Sequence, residues 1–233
     1  MDGSFSNIHI ASFSYIFPFA CKKLRLKEVI DAIARKVREW FPGATYHLMA
    51  RGIRRMEIFE DEFDFQVFLK IMQQQSVNND CRIHAYCLMT NHFHLLVETG
   101  EVEIGQFMMH LSGKYAMYYN RHHGYSGHVF ERRYKSCLVK TDDYFLQTSR
   151  YIHLNPVKAR MAAHPEDYRY SSYKTIIRLQ DDGITEPKKT LAYFGPKGIF
   201  GYREFVENTA HKYVVEEDGI RKVMGENDVW LPW

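Results

Sequence analysis

The chain has 233 residues and a mass of 27.6 kDa, enough for one large domain or for a core domain with extensions. Hydrophobic residues make up 45% and charged residues 25%, which is ordinary globular composition and excludes a disordered, collagen-like or coiled-coil chain. The net charge of +3 does not by itself indicate a nucleic-acid-binding protein. The 12 histidines, 16 tyrosines and 16 phenylalanines offer many groups for chemistry or stacking, so their positions must decide.

The cysteine pattern and the N-terminal stretch bear on the compartment. The four cysteines, at positions 21, 81, 87 and 137, form neither a CxxC pair nor a zinc-ribbon spacing, which fits a reducing environment. The apolar stretch at 8–21 contains Ser, Asn, His and Pro, so it is too short and too mixed to span a bilayer. No basic segment precedes it, as a signal peptide would require. We therefore expect a cytoplasmic protein without a membrane partner.

Residues 1–44 form a predicted N-terminal extension. Residues 22–40 carry seven basic and three acidic side chains, with apolar residues at helical spacing. This pattern favours an amphipathic helix that packs on the core. A basic arm for nucleic acid and a membrane-surface helix are the alternatives.

From residue 45 onward, the sequence pattern changes between the spacing of strands and the spacing of helices. We predict a strand at 45–51, a helix at 61–75 capped by Asp61, strands at 82–89 and 92–98, a helix at 103–120 and a strand at 134–140. A further helix begins at Thr141 and should end at Asn155-Pro156, because proline disfavours helix at the residue before it. The order β-α-β-β-α-β predicts an α+β ferredoxin-like (RRM-like) sandwich, a four-stranded antiparallel sheet with two helices on one face. The other face would be available for a site.

The C-terminal part is harder to place. Residues 180–190 are polar and typical of a linker, and 191–233 should form one or two helices. The predicted organisation is an extension at 1–44, a core domain at 45–175, and a linker and helical extension at 176–233.

His92 and His94 stand two residues apart on a predicted strand. Strand side chains alternate between faces, so both imidazoles should point to the open face while Phe93 points to the helices. Two such imidazoles can share a metal ion, although two partly exposed strand histidines would show the same pattern. An HxHxDH metallo-hydrolase is excluded, because apolar residues follow His94.

Tyr151 and Asn155 stand four residues apart, on one face of the last predicted helix. The amide oxygen of Asn155 suits a hard cation, and a tyrosine can be a covalent nucleophile when its target is polarised. Packing of Tyr151 and helix capping by Asn155 are the alternative. Taken together, His92, His94 and Asn155 would provide three ligands for Mg²⁺ or Mn²⁺, with Tyr151 beside the ion. Such an arrangement suits phosphoryl transfer.

Five segments resemble the HUH-class single-strand transposases that have one catalytic tyrosine, and most closely the REP-associated tyrosine transposases. They are WFPGATYHLMARG at 40–52, HAYCLMTNHFHLLVE at 84–98, GHVFERRYKS at 127–136, YIHLNPVKA at 151–159 and PEDYRYSSY at 165–173. The resemblance covers roughly residues 38–175 and implies the ferredoxin-like fold. It also implies that His92, His94 and Asn155 bind a divalent metal and that Tyr151 is the nucleophile. A bulky apolar residue between the histidines, here Phe93, fits the motif.

The resemblance implies a metal-dependent endonuclease and strand transferase that acts on single-stranded or hairpin DNA through a 5′-phosphotyrosine. Such a protein would associate with the nucleoid when bound to DNA, and would act as a monomer or a homodimer. Cationic residues near the predicted site could contact DNA phosphates, and Tyr134 could stack on a base. These candidates are Arg51, Arg54, Arg132, Arg133, Tyr134, Lys135, Lys140 and Lys158. A solvated surface of mixed charge is the alternative for this group.

Two other functions remain open from the sequence. A non-catalytic module could bind single-stranded nucleic acid on the open sheet face of the same fold. A domesticated protein could bind repeats without mobilising DNA. Intact site residues favour retained cleavage by such a protein, but they do not indicate transposition.

Overall fold

The computed structural model describes residues 39–208, 213–217 and 220–224. The predicted amphipathic helix of the N-terminal extension lies almost wholly outside these residues. The core elements are β1 (Thr45–Arg51), α1 (Glu62–Asn78), β2 (Cys81–Met89), β3 (His92–Thr99), α2 (Ile104–His123), β4 (Lys135–Val139) and α3 (Asp142–Lys158). Their order is the predicted β-α-β-β-α-β followed by a helix.

The four strands form one antiparallel sheet in the order β2-β3-β1-β4. This order places the two strands of the β2–β3 hairpin on one side of β1 and the last strand on the other, which confirms the ferredoxin-like sandwich. Arg51 lies opposite His92 and Met49 lies opposite His94 in the β1–β3 register. Directly opposite residues share a face of the sheet, so the register fixes which side chains of β1 surround the two histidines.

The sheet is covered on both faces. Phe93, Leu95 and Val97 of β3 are buried against α1 and α2 in the larger core, as the alternation predicted. On the opposite face, Leu96 of β3 packs with Phe145 and other residues of α3 in a second core. Helix α3 therefore occupies the face that bears His92 and His94.

The helix ends follow from local sequence. Asp61 caps α1 in a capping box, because its carboxylate accepts from the backbone N–H of Asp64 at 2.9 Å and the Asp64 carboxylate accepts in return. Thr141 caps α3 by accepting from the N–H of Tyr144. Helix α2 ends at Gly124, whose φ of 70° lies in the left-handed region that favours glycine.

The prediction that the last core helix ends at Asn155-Pro156 is wrong. Helix α3 continues through Pro156 to Lys158. Proline removes one backbone donor, here the N–H that would bond the carbonyl of Ile152. Pro156 lies in the last turn, and the helix ends two residues later. Its ring is buried, and its own carbonyl accepts from the N–H of Met161 at 2.8 Å.

The C-terminal segment packs on α3 and on the edge of β2. It contains α4 (Tyr173–Arg178), α5 (Lys188–Ala192), α6 (Gly198–Glu207) and a hairpin of β5 (Tyr213–Glu217) with β6 (Ile220–Met224). A third core joins α4 and α6 around the buried Tyr173 and Tyr202. The N–H of Glu186 bonds the carbonyl of Ile83 at 2.8 Å. This contact covers part of the exposed edge of the sheet.

Glu98 of β3 ties α5 to the sheet. Its carboxylate accepts from Lys189 of α5 at 2.5 Å and from His84 of β2 at 3.2 Å. The hydrogen bond from His84 and the Lys189 ammonium lower the pKa of Glu98 to about 2.

Within the described residues, no helix is both long and apolar enough to cross a bilayer.

A buried hydroxyl joins α3 to α6. The Tyr202 hydroxyl bonds Ser149 Oγ at 2.5 Å and His153 Nδ1 at 2.7 Å, and His153 Nε2 bonds Ser172 Oγ at 2.8 Å. His153 is fully buried, and both of its ring nitrogens bond these hydroxyl groups, so its role is structural.

Replacement of Tyr202 by Phe tests this connection. The variant removes one hydroxyl and leaves two buried polar groups without it, so we expect the free energy of unfolding to fall by about 1–3 kcal/mol. Urea denaturation measures the change. The matched variant Tyr125→Phe alters a residue that is 47% exposed and should shift stability by less than about 0.5 kcal/mol. Equal stability of the two variants would contradict the assignment.

Candidate active site

The two strand histidines sit where β3 passes beneath α3. His94 is buried and His92 is partly buried, and their ring centroids are 5.1 Å apart. Their edge-to-face arrangement brings both imidazoles to one side of the sheet, as the sequence predicted. The turn residue Asn91 orients the His92 ring, because its Oδ1 lies 2.6 Å from His92 Nδ1.

A third histidine joins them that the sequence prediction missed. His47 of β1 is buried, and its Nε2 lies 3.0 Å from His94 Nδ1. The signal for it was present in the first strand, where Thr45, His47, Met49 and Arg51 alternate with apolar residues and so share a face with His92 and His94. The pairing register between β1 and β3, which a local pattern does not contain, brings that face beside the two histidines.

The hydrogen bond to Asn91 sets the tautomer of His92, and the contact with His47 allows the same tautomer for His94. Asn91 Oδ1 only accepts, so His92 donates from Nδ1 and keeps a lone pair on Nε2. If His94 likewise donates from Nδ1 to His47, its lone pair is also on Nε2, and His47 carries its proton on Nδ1. Both strand histidines would then present Nε2 as the ligand atom.

Burial keeps the three imidazoles neutral. It lowers the pKa of His47 to about 3. Burial, together with the charge of Arg51, lowers the pKa of His92 to about 4. For His94 burial comes first, followed by the neighbouring His47, His92 and Arg51, and the pKa falls well below its usual value. Neutral imidazole is the form that binds metal ions, so this donor set fits a divalent cation.

Tyr151 of α3 lies over the histidines. Its ring is edge-on to His94 with centroids 5.4 Å apart, and edge-on to His47 at 5.8 Å. The Lys158 ammonium lies 5.4 Å from the Tyr151 ring centroid. The neighbouring residue Ile152 is buried in the core beneath α3, which fixes the helix rotation and leaves Tyr151 half-buried at the site.

Asn155 lies one helical turn beyond Tyr151, as predicted. Its Nδ2 donates to the Tyr151 carbonyl at 2.8 Å. This bond orients the amide and leaves Oδ1 as the atom suited to a hard cation. The site therefore combines three neutral imidazoles, an oriented amide and a phenol, all from one chain.

The predicted nucleic-acid residues separate into groups. A cavity of about 220 Å³ beside the site is lined by Arg51, Arg55, Arg132, Arg133 and Lys135, with a single carboxylate from Glu131. Of the predicted residues, Arg51, Arg132, Arg133 and Lys135 meet there, and Arg54 is next to Arg55 in the short 3-10 helix Ile53–Arg55.

The remaining predicted residues lie elsewhere. Lys158 is at Tyr151, as described above. Lys140 lies beyond the far end of β4 and pairs with Glu39 at 3.1 Å. Tyr134 packs against the core formed by α1 and α2. The structure thus brings the arginines and Lys135 together, but not Tyr134 and Lys140.

Comparison with known proteins gives a family match. The profile of the family described as "Transposase IS200 like" matches residues 41–155, which include His47, His92, His94, Tyr151 and Asn155. Over these residues the chain is similar to the IS200-like transposases. No curated protein matches the sequence of this chain.

One solved structure supports the fold. This chain resembles a REP-associated tyrosine transposase bound to a REP hairpin, with a TM-score of 0.54 and 15% identity over 66% of this chain and 89% of that one. A putative transposase from Deinococcus radiodurans R1 has 21% identity and a TM-score of 0.37, over 51% of this chain and 95% of that one. A tRNA(His) guanylyltransferase from Saccharomyces cerevisiae has 6% identity and a TM-score of 0.40, over 84% and 95%. The last two scores are too low to bear on the fold.

The contact between His47 and His94 can be tested by stability. His47→Leu keeps the volume but deprives His94 Nδ1 of its partner, so we expect a loss of about 1–3 kcal/mol. His47→Gln retains a polar group there and should lose less. Urea unfolding of the two variants compares them. If His47→Leu were as stable as the wild type, the hydrogen bond would contribute nothing.

Proposed function

We propose that this chain is a metal-dependent endonuclease and strand transferase of the HUH type, which acts on single-stranded or hairpin DNA. The observation that carries the proposal is the position of Tyr151, edge-on to His94 at 5.4 Å, above strand histidines that burial keeps neutral. A phenol beside a set of neutral imidazoles suits nucleophilic attack on a phosphate. We also propose that residues 45–175 carry this chemistry, with 1–44 and 176–233 as extensions.

His92, His94 and Asn155 are the residues that would hold a divalent cation, Mg²⁺ or Mn²⁺. The donor set supports this proposal, because the pKa of each histidine is lowered and the Asn155 amide is oriented by its own helix. A cation bound there would supply charge that makes the phosphorus more electrophilic. His47 acts as a positioning residue, since its contact with His94 Nδ1 directs Nε2 of that ring away from β1.

The chain's own residues account for the covalent step. The Tyr151 hydroxyl oxygen attacks phosphorus and loses its proton, and the bond from phosphorus to the 3′ oxygen breaks as that oxygen takes up a proton. The product is a 5′-phosphotyrosine and a free 3′ hydroxyl. One phosphodiester replaces another, so the strand can be rejoined without an added energy source. Lys158 and Arg51 favour the charge that develops on the phenol, because both cations lie near Tyr151.

The cavity lined by Arg51, Arg55, Arg132, Arg133 and Lys135 is the proposed contact for the DNA backbone. It lies beside His92, because Arg51 is the direct neighbour of His92 in the sheet. Five cations against one carboxylate favour a polyanion. The solved REP-associated transposase is bound to a REP hairpin, which supports hairpin or repeat DNA as the partner of this chain.

A binding module without chemistry is the less favoured function. On the ferredoxin-like fold such modules bind nucleic acid on an open sheet face. In this chain that face is covered by α3, whose Phe145 and Ile152 pack on Leu96. A single strand would have to bind beside α3 and not on the sheet face itself.

The first experiment seeks a covalent adduct. Purified protein is mixed with labelled single-stranded hairpins from its own genomic neighbourhood, with Mn²⁺ or with EDTA, and separated under denaturing conditions. We expect a protein–DNA band that requires the metal and disappears in Tyr151→Phe.

Tyr144→Phe is the matched control, since Tyr144 is another half-buried tyrosine of α3 and its variant should keep the band. A band that persists in Tyr151→Phe would assign the nucleophile to another tyrosine. Binding in EDTA without any band would favour the binding module.

The basic cavity predicts a salt dependence. Arg132→Ala/Arg133→Ala should weaken single-strand binding and reduce the slope of log K against log salt by up to about 1.4, because each phosphate that a cation neutralises adds about 0.7 to that slope. Titrations at about 50 to 200 mM salt measure this slope.

Lys70→Ala/Lys114→Ala removes the same charge from exposed positions of α1 and α2 and should leave the slope unchanged. A similar decrease in both double variants would show that net charge alone governs binding and that the cavity has no special part.

A further inference from the structure

Four side chains that can ligate a metal converge on the other side of the sheet, between the start of α1 and the end of α2. They are Asp61, Asp64, His122 and His123, called here the α1–α2 cluster. One ligand atom from each lies within 4.8 Å of all the others. In the described part of the chain, this is the one such group with three or more His, Cys, Asp or Glu side chains. The transposase site uses none of them.

The backbone holds the two carboxylates in place. In the capping box, Asp61 Oδ1 accepts from the N–H of Asp64 at 2.9 Å. Asp64 Oδ2 accepts from the N–H groups of Glu60 at 2.8 Å and Asp61 at 3.2 Å. One oxygen of each carboxylate is thereby engaged by the backbone. Asp61 Oδ2 faces His122, and both oxygens of Asp64 lie within hydrogen-bond distance of His123.

The two histidines close the cluster from α2. His122 Nε2 lies 2.8 Å from Asp61 Oδ2, and His123 Nε2 lies 3.0 Å from Asp64 Oδ2 and 3.1 Å from Asp64 Oδ1. Tyr118 stacks on His122 with ring centroids 5.3 Å apart, and Tyr119 lies against His123 at 4.6 Å. Both imidazoles are therefore held by aromatic neighbours on their own helix, with Nε2 directed at a carboxylate.

Hydrogen bonding between the helices explains part of this arrangement. Each histidine could donate to one aspartate, and the negative start of α1 and the basic end of α2 suit the two helix dipoles. Two separate pairs, however, do not require four ligand atoms to converge. A tetrahedral ion with bonds of about 2.0–2.1 Å would space its ligands about 3.3 Å apart. The separations of 2.8 and 3.1 Å are close to that spacing.

We propose that the α1–α2 cluster binds one divalent transition-metal ion, of which zinc is the representative, through two imidazoles and two carboxylates. Imidazole ligands favour zinc over Mg²⁺ or Ca²⁺, which prefer all-oxygen sites. Asp64 is fully buried, whereas the side chains of Asp61 and His122 are 39% and 38% exposed, which gives an ion a route in from solvent. The four ligands come from the start of α1 and the end of α2, so the ion is structural and joins these two helices.

The experiment separates this site from the transposase site. Tag-free His92→Ala/His94→Ala protein, freed of metal with a chelator, is titrated with zinc chloride by calorimetry. We expect one equivalent to bind and the melting temperature to rise with zinc, since a ligand of the folded state stabilises it. Adding His122→Ala should weaken binding by more than about 100-fold, because even outer-shell losses cost about 10- to 100-fold.

Two further variants make the result decisive. His123→Gln keeps a polar partner for Asp64 but removes a zinc ligand, so it should also lose binding while the chain still folds. His110→Ala, at another position of α2, should bind zinc as before. If the His92→Ala/His94→Ala protein binds no zinc, or if binding survives both His122→Ala and His123→Gln, the proposal is wrong and the cluster is a hydrogen-bonded clamp. Adduct formation at Tyr151 does not enter this measurement, so the two proposals fail independently.

Discussion

The register between β1 and β3 determines which strand side chains meet at the candidate active site. Because strand side chains alternate with a period of two, pairing Arg51 with His92 places His47, Met49 and Arg51 on the same face as His92 and His94. A slip of one residue would turn His47 into the core against α1 and α2 and bring Leu48 under the histidines. The apolar residues at the intervening positions of both strands oppose such a slip, since each would lose its buried environment.

Burial of three imidazoles in this register has an energetic cost that the structure offsets with hydrogen bonds. A buried polar group without a partner costs about 1–3 kcal/mol, and here His92 bonds Asn91 while His94 bonds His47. The same burial lowers the pKa of each ring, so the rings stay neutral in the pH range where proteins are active. Desolvation thus keeps the imidazoles in the neutral form that can bind metal ions, and Arg51, which is only partly buried, adds to the effect on His92 and His94.

Local sequence patterns were sufficient for much of this architecture. The alternation around Phe93 predicted the orientation of His92 and His94, and the spacing of Tyr151 and Asn155 predicted their shared helical face. The prediction failed where a distant contact decides the outcome. His47 is 47 residues from His94, and no local pattern reveals that their rings touch. The end of α3 was misplaced because the rule against helix before proline is local. The burial of Pro156 in the completed fold outweighs that preference.

Helix α3 is held from two sides, and this fixes the position of Tyr151 over the histidines of the sheet. Toward the sheet, Ile152 packs on the core that includes Leu96. Away from it, the Tyr202 hydroxyl bonds His153, and Arg150 donates to the carbonyl of Val206 at 3.3 Å at the end of α6. A cation at the C-terminal end of a helix is favourably placed. Tyr151 lies between these two sets of contacts on the same helix, so its distance from His94 depends on α6 as well as on the sheet. The C-terminal helices, which carry none of the site residues, therefore belong to the machinery that positions the phenol.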